Sequence, residues 1–345
     1  MTEEKYKKLN SYLNEVFIEL EKRDKFLIKN ILNIGWLNEQ FLKYINNKDL
    51  SVIIKQNNLT FEDIFLLARE IIESIDENYL PDYDNLIKTG EIEFFYNNEI
   101  NDSRCAFYHR NNMCTLDINR NFTYDDAIST VHEYMHRTNM KNIDSENRYL
   151  LTEFISIYFE IYTEKYMIEQ KQIPKDEVAN NFRLMGTKRS SYNFNSYYLE
   201  LSLFYSEGNL DSESYKNSIL TKEEYESECL KMLEDFEQIE KEYNFEILYE
   251  KEYDNDELRT KFASKFTSNY RYILGFLLAV YALKYSDVEK IKKLNEYITD
   301  RKHEDLGIIE LLKMIDINLN EDHFYDELFN CLDEYVEKYQ NVKNR

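Results

Sequence analysis

The chain has 345 residues, enough to bury a sizeable core, and its hydrophobic fraction of 43% excludes an intrinsically disordered protein. Its formal net charge of −23 repels nucleic-acid phosphates and anionic lipids, so we expect neither nucleic acid nor a membrane as a partner. Only six glycines and two prolines interrupt long stretches rich in Glu, Lys, Leu and Ile, which favours long helices over a many-stranded sheet.

The expected cellular location is inferred from two features that the sequence lacks, a membrane span and the apolar core of a signal peptide. It contains no apolar run of about eighteen residues, so no membrane span is expected. The first residues lack the apolar core of a signal peptide, and we therefore expect a cytoplasmic protein. The four cysteines show no CxxC spacing and are expected to be free thiols; they are Cys105, Cys114, Cys229 and Cys331. The oligomeric state stays open.

Two domains are expected from the periodicity of the apolar residues. Residues 1–90 repeat apolar side chains at spacings of three and four, which predicts an N-terminal helical lobe. Residues 91–345 form the second expected domain, with a small sheet over about 91–120, helices over about 124–171 and further helices after them. Within that sheet, the segments 91–96 and 113–118 are the predicted strands. The fold class is therefore mainly α, with two lobes and a small β-sheet.

The segment from His132 to His136 carries an H-E-x-x-H pattern inside a predicted helix. Residues four apart share one face of a helix, so His132 and His136 can hold one divalent metal ion between them. Glu133 lies beside them, where it can accept a proton from water activated by that metal. The competing interpretation is a solvated helix face that carries two histidines by chance.

A catalytic zinc site usually has three protein ligands, and the next predicted helix offers Glu153 as the third. A turn of about nine residues followed by two turns of antiparallel helix returns Glu153 to the histidines. Glu153, Ser156 and Glu160 share one face of that helix. Glu160 has three open roles: an alternative ligand, a carboxylate that hydrogen-bonds the outer nitrogen of His132 or His136, or a partner for a lysine.

Three segments together resemble the thimet oligopeptidase and oligoendopeptidase F family of zinc peptidases. They are His132-Glu133-x-x-His136, Glu153-x-x-Ser156-x-x-x-Glu160, and a tyrosine-rich segment from Tyr270 to Ala279 that is similar to Y-x-Y-x-x-G-x-x-x-A. The resemblance implies a zincin-like, gluzincin-type helical fold with a deep cleft between two lobes that admits short peptides. It also implies that a tyrosine of this late segment holds the substrate carbonyl oxygen as it becomes negative, with Tyr270 and Tyr272 as the candidates.

The sequence departs from the family pattern at several positions. The chain is shorter than most members, and the spacer before Glu153 is shorter. Met135 stands where the family has glycine, and no histidine lies near 255–270, where the family has a late catalytic histidine.

The predicted strand at 113–118 has two possible roles, since either its edge pairs with the substrate backbone or it is a buried core strand.

These residues predict a zinc-dependent endopeptidase or oligopeptidase. Zn²⁺ bound by His132, His136 and Glu153 would activate water, and Glu133 would be the general base. Peptides are the expected substrates. Two alternatives stay open: a specialised protease with a single protein target, and a catalytically inactive relative that binds peptides or a partner protein.

Overall fold

The structure is a computed structural model, and it describes most of the chain. The described residues are 1–23, 37, 40–41, 43–44, 57–96, 103–108, 113–140, 149–178, 206, 209–217, 220–250, 255–266, 270–300 and 306–340. The chain packs as two compact units, Met1–Lys48 with Thr187–Leu274 and Asp49–Gly186 with Gly275–Arg345. Each unit combines two separate stretches of sequence, whereas the sequence-based partition has one boundary at residue 90. The division into an N-terminal lobe and a catalytic body stays a prediction.

The expected mainly α architecture is confirmed. Eleven α-helices and one small β-sheet lie within the described residues. The helices, α1 to α11 in chain order, are Glu3–Arg23, Phe61–Ile75, Leu80–Thr89, Asp125–Met140, Tyr149–Glu169, Lys222–Glu250, Asn255–Phe266, Tyr270–Tyr285, Val288–Thr299, Ile308–Lys313 and Asp322–Tyr339. None of these helices, taken over the described part of the chain, is long and apolar enough to cross a membrane.

Aromatic packing joins the helices of the unit that contains Met1–Lys48. The ring of Tyr12 in α1 lies 5.6 Å from that of Phe236 in α6 and 5.3 Å from that of Phe262 in α7, measured between centroids. All three side chains are buried. Such ring pairs stabilise a core beyond the apolar area that they bury, so this unit has a hydrophobic core of its own.

The sheet consists of β1 (Ile92–Phe95), β2 (Arg104–Tyr108) and β3 (Met113–Asn119), in the order β1-β3-β2. Strand β1 runs parallel to β3, and β2 runs antiparallel to it. The two predicted strands are therefore present, close to their expected bounds. Strand β2 is an addition to the prediction, because a segment that begins Arg-Cys-Ala has no β-branched residue to mark it.

Strand β3 lies in the centre of the sheet. Its alternation is confirmed, since Cys114, Leu116 and Ile118 are all buried. The backbone of β3 pairs with β1 on one side and with β2 on the other. Leu116 and Asp117 are paired on both sides, as in a buried core strand, whereas in the described sheet Met113–Thr115 pair with β2 alone. The pairing of this part of the strand with substrate therefore stays a prediction.

A tight turn leads from β3 into α4. The carboxylate of Asp126 accepts backbone hydrogen bonds from Asn121 at 2.7 Å and from Phe122 at 3.2 Å. The hydroxyl of Thr123 accepts a hydrogen bond from the backbone N–H of Asp125 at 3.2 Å. Asp126 therefore stabilises the residues before the cap, whereas in a capping box it would bond back to Thr123.

Helix α4 packs against the sheet, against α2 and against α5. On the side of α3, the ring of Tyr134 lies 5.3 Å from that of Tyr83, and the Tyr134 hydroxyl donates to the backbone carbonyl of Tyr79 at 2.9 Å. A buried aromatic residue with a satisfied hydroxyl has one preferred position. These contacts fix the rotation of α4 about its axis, and thus the direction in which its other side chains point.

Arg137 is the cation that ties α4 to the sheet and to α3. Its guanidinium binds both carboxylate oxygens of Asp82, with N–O distances of 2.9 and 3.0 Å, and one oxygen of Glu91 at 2.6 Å. It also donates to the backbone carbonyl of Cys114 in β3. Arg137 itself is 4% exposed. Removing a buried partner of this kind leaves the remaining charges and the carbonyl unsatisfied.

We predict that Arg137→Met lowers the free energy of unfolding by about 3 kcal/mol, because it removes a buried guanidinium that binds Asp82, Glu91 and the backbone carbonyl of Cys114. The matched control is Arg69→Met. Arg69 forms a similar bidentate pair with Asp84 at 2.7 and 2.9 Å, but both side chains are about one third exposed. The control should cost less than about 1 kcal/mol. Urea denaturation measures both, and equal shifts would contradict the anchoring role of Arg137.

Candidate metal centre

The two histidines of the H-E-x-x-H segment lie on one face of α4. The Nε2 atoms of His132 and His136 are 3.1 Å apart, and the ring planes are inclined by 77°. His136 is buried, and His132 is half-buried. The solvated helix face that was the competing interpretation therefore does not describe these residues, since both rings turn inward and converge through the same nitrogen.

Helix α5 brings Glu153 to the same point. One Glu153 carboxylate oxygen, Oε2, lies 3.4 Å from Nε2 of His136 and 4.0 Å from Nε2 of His132. Glu153 is only 6% exposed, and it lies among buried apolar side chains of α5. A carboxylate in such surroundings is costly unless a positive charge compensates it. Among the described residues, His132, His136 and Glu153 are the group whose ligand atoms lie close enough together to hold one metal ion.

The separations of these three ligand atoms fit a zinc ion. Zinc binds nitrogen and oxygen ligands at about 2.0–2.1 Å in tetrahedral geometry, which places neighbouring ligand atoms about 3.3 Å apart. The observed separations are 3.1, 3.4 and 4.0 Å. Two of the three separations are close to the tetrahedral value, and the distance from His132 to Glu153 is longer. The donor set, two imidazoles and one carboxylate, is also typical of catalytic zinc.

Glu160 orients one of the imidazoles. Its Oε2 atom lies 2.9 Å from Nδ1 of His132, on the side of the ring opposite to the cluster. Because Nδ1 is held by this contact, Nε2 points towards His136 and Glu153. Of the three open roles of Glu160, this geometry matches the carboxylate that bonds the outer nitrogen. Glu160 is not a member of the three-residue ligand group.

Glu133 is buried at 7% exposure on the same helix. Its carboxylate is close enough to His132 to raise the pKa of that imidazole, together with Glu160 and Glu153. It is also close enough to Cys105 in β2 to raise the pKa of that thiol. Glu133 thus lies near both His132 and Cys105, while the ligand group does not include it. Its role as general base stays a prediction.

The tyrosine-rich segment forms the start of α8. Tyr270 and Tyr272 both lie in its first turn, and Tyr272 is half-buried. Their role at the substrate carbonyl stays a prediction. Gly275 has a clearer function, because a Cβ built there would lie 3.3 Å from the backbone nitrogen of Phe154, next to Glu153. The glycine lets α8 approach the helix that carries the carboxylate.

Several residues that support the site were not predicted from sequence. Beyond Glu160 on α5, the fully buried Glu164 accepts hydrogen bonds from the Tyr335 hydroxyl at 2.5 Å and from the Gln340 amide at 3.0 Å. This network joins α5 to α11. Arg137, adjacent to His136, anchors α4 as described above. Neither role has a sequence signal, because the partners are far away along the chain.

The sequence matches no family model and no curated protein. Solved structures do share its fold. A crystal structure from Chlamydophila abortus whose protein is assigned as a peptidase gives a TM-score of 0.50 at 15% identity, over 95% of this chain and 55% of that one. PZ peptidase A with an inhibitor gives a TM-score of 0.46 at 14% identity, over 99% of this chain and 60% of that one. A protein of Bacillus anthracis assigned as oligoendopeptidase F gives a TM-score of 0.43 at 11% identity, over 94% of this chain and 56% of that one.

The comparison with the Chlamydophila abortus structure, at a TM-score of 0.50, bears on the fold alone. The chain spans little more than half the length of the solved structures that it matches. At 15% identity, the likeness to the peptidase from Chlamydophila abortus confirms the expected peptidase-like helical fold with its small sheet. The class of protein that fold and site define is therefore a helical protein with a peptidase-type architecture and a buried group of His132, His136 and Glu153 suited to a metal ion.

We predict that His132 is protonated at neutral pH in the metal-free protein. Burial lowers its pKa, but the hydrogen bond with Glu160 and the nearby carboxylates outweigh burial and raise the pKa from 6.5 to about 9. The corresponding stability is fully present below pH 6.5 and is lost as the pH rises through about 9. An NMR titration of the protein, after a chelator has removed any metal, measures the pKa of His132. The Glu160→Gln variant is the comparison, and its His132 should have a lower pKa. A wild-type pKa at or below 6.5 would contradict the assignment.

Proposed function

We propose that this chain is a zinc-dependent peptidase that hydrolyses peptide bonds, with Zn²⁺ held by His132, His136 and Glu153. The observation that carries the proposal is the convergence of three ligand atoms, two from α4 and one from α5, within 4.0 Å of one another, with two of the three separations close to those of tetrahedral zinc. The peptidase-type fold supports the reaction class. Glu133 supports it further, because a site that only stores metal has no use for a nearby buried carboxylate that is not a ligand.

In this proposal, different residues of the chain have different roles in the reaction. Zinc, when bound, supplies a Lewis acid that lowers the pKa of water towards neutrality. Glu133 accepts the proton of the attacking water and passes it to the leaving amine. Glu160 keeps His132 in the ring orientation and tautomer that expose Nε2 to the cluster. Tyr270 or Tyr272 donates a hydrogen bond to the carbonyl oxygen as it becomes negative.

The substrate class follows from the same proposal. Peptides are the expected partners, and the charge of −23 disfavours nucleic acid and anionic membranes. As part of this proposal, we expect the protein to act in the cytoplasm. Digestion of a peptide library and of folded proteins, each with and without a chelator, separates a general oligopeptidase from a protease with a single protein target. The absence of any chelator-sensitive cleavage, together with absent metal, would instead favour the inactive binding protein.

Glu133→Gln is the first test of the mechanism. The amide keeps the size of the side chain but cannot accept the proton, so hydrolysis should fall by about 10²–10⁴-fold. The zinc content, measured by mass spectrometry of the metal, should stay at one ion per chain because Glu133 is not a ligand. A His136→Ala variant should lose both zinc and cleavage. Equal rates for Glu133→Gln and wild type would remove Glu133 from the mechanism.

Glu160→Gln tests the support of His132. Loss of the charged partner of Nδ1 should weaken zinc binding by about 10–100-fold while the fold is kept. The matched control is Glu169→Gln on the same helix, whose carboxylate accepts a hydrogen bond from Tyr339 at 2.6 Å far along α5 from the site. Competition with a chromophoric chelator measures both affinities. Similar losses for the two variants would show that the effect is not specific to His132.

A further inference from the structure

Two cysteines meet on the face of the sheet that packs against α4. Cys105 of β2 and Cys114 of β3 have Sγ atoms 3.0 Å apart. In the antiparallel pairing, Cys105 is opposite Leu116 and Cys114 is opposite Phe107, so the two cysteines are diagonal neighbours on one face. In this structure both are thiols that have not formed a disulfide. A disulfide has an S–S distance of about 2.05 Å, so the two sulfur atoms are about 1 Å from bonding distance.

The pair adjoins the candidate metal centre without being part of it. The hydrogen bond with Cys114, burial and the neighbouring Glu133 carboxylate all raise the pKa of the Cys105 thiol. The backbone carbonyl of Cys114 accepts a hydrogen bond from Arg137, the residue after His136. The cysteine pair therefore lies close to the part of α4 that carries Glu133 and Arg137. Their sulfur atoms are outside the group formed by His132, His136 and Glu153.

The two thiols differ in access to solvent. Cys105 is half-buried, whereas Cys114 is 1% exposed. An external reagent therefore reaches Cys105 first, and Cys114 is positioned to react only with whatever becomes attached to Cys105. This arrangement is that of an attacking cysteine with an adjacent resolving cysteine. A raised thiol pKa makes the first step slow at neutral pH, because the thiolate is the nucleophile.

We propose that Cys105 and Cys114 are a reversible redox modification site, which forms an intramolecular disulfide by exchange with a low-molecular-weight disulfide such as oxidised glutathione. Cys105 loses its proton to solvent and attacks one sulfur of the reagent, which releases one thiol and leaves a mixed disulfide. Cys114 then attacks Sγ of Cys105 and expels the second thiol, which takes up the Cys114 proton. The protein loses two electrons and two protons, and the reagent gains them. The product covalently joins β2 to β3 beside Glu133.

The sequence allows the disulfide to be detected directly in the intact 345-residue chain. Trypsin cleaves after Arg104, Arg110 and Arg120, so the two cysteines fall on separate peptides, 105–110 and 111–120. The protein is equilibrated in glutathione buffers of increasing oxidising strength, quenched, alkylated and digested. We expect a linked pair of these two peptides, a mass loss of about 2 Da for the intact chain, and full reversal by dithiothreitol. The oxidised protein should also unfold about 5 °C higher, because the bond constrains the unfolded chain.

Two controls make the result specific. Cys229 and Cys331 are buried in other parts of the chain and should stay alkylatable as thiols under the same conditions. In Cys114→Ala, the resolving thiol is absent, so Cys105 should accumulate a stable glutathione adduct instead of an internal bond. The proposal is overturned if wild-type Cys105 and Cys114 both stay alkylatable in the most oxidising buffer. It is equally overturned if the wild type keeps a persistent glutathione adduct at Cys105, or if Cys229 or Cys331 is oxidised as readily.

Discussion

The site depends on the packing of α4 against α5, which forces two imidazoles and a carboxylate to meet in a buried space. The two Nε2 atoms are 3.1 Å apart, and the Glu153 oxygen is 3.4 Å from the nearer one. Burying such groups costs free energy unless a charge of opposite sign or a set of hydrogen bonds compensates them. A divalent cation compensates all three at once. The rest of this unit can be understood as the structure that keeps these groups together.

That supporting structure acts on both helices. Arg137 fixes α4 to β3 and to α3 through the Cys114 carbonyl and the Asp82 carboxylate. On α5, the absence of a side chain at Gly275 permits the close approach of α8 next to Glu153. One turn beyond Glu160, Glu164 binds Tyr335 in the interior and holds α11 in place. The ligand positions are therefore set by rigid helices and not by loops, which keeps a metal centre within narrow geometric limits.

Local periodicity accounts for the part of the site that the sequence predicts. His132 and His136 converge because residues four apart share a helix face, and Glu153 and Glu160 are on one face of the next helix for the same reason. The bounds of α4 and α5 followed from the same periodicity and from the polar residues before α4. The mainly α fold followed from composition, since few glycines and prolines interrupt the helical segments.

Features that depend on distant parts of the chain were not predictable in this way. Strand β2 has only two strand-favouring residues, Phe107 and Tyr108, and its pairing with β3 moves β3 to the centre of the sheet. The partners of Arg137 are 23 to 55 residues away in sequence, so no local pattern reveals them. The approach of Cys105 to Cys114 depends on the register of two strands, which a single sequence does not specify.

X-ray absorption spectroscopy of the zinc-loaded protein tests the central claim most directly. The account predicts a four-coordinate zinc with nitrogen and oxygen ligands at about 2.0–2.1 Å and two imidazoles in the ligand shell. In His136→Ala, one imidazole contribution should disappear. A shell that contains sulfur at about 2.3 Å, or fewer than two imidazoles in the wild type, would contradict the assignment of His132, His136 and Glu153 as the ligands.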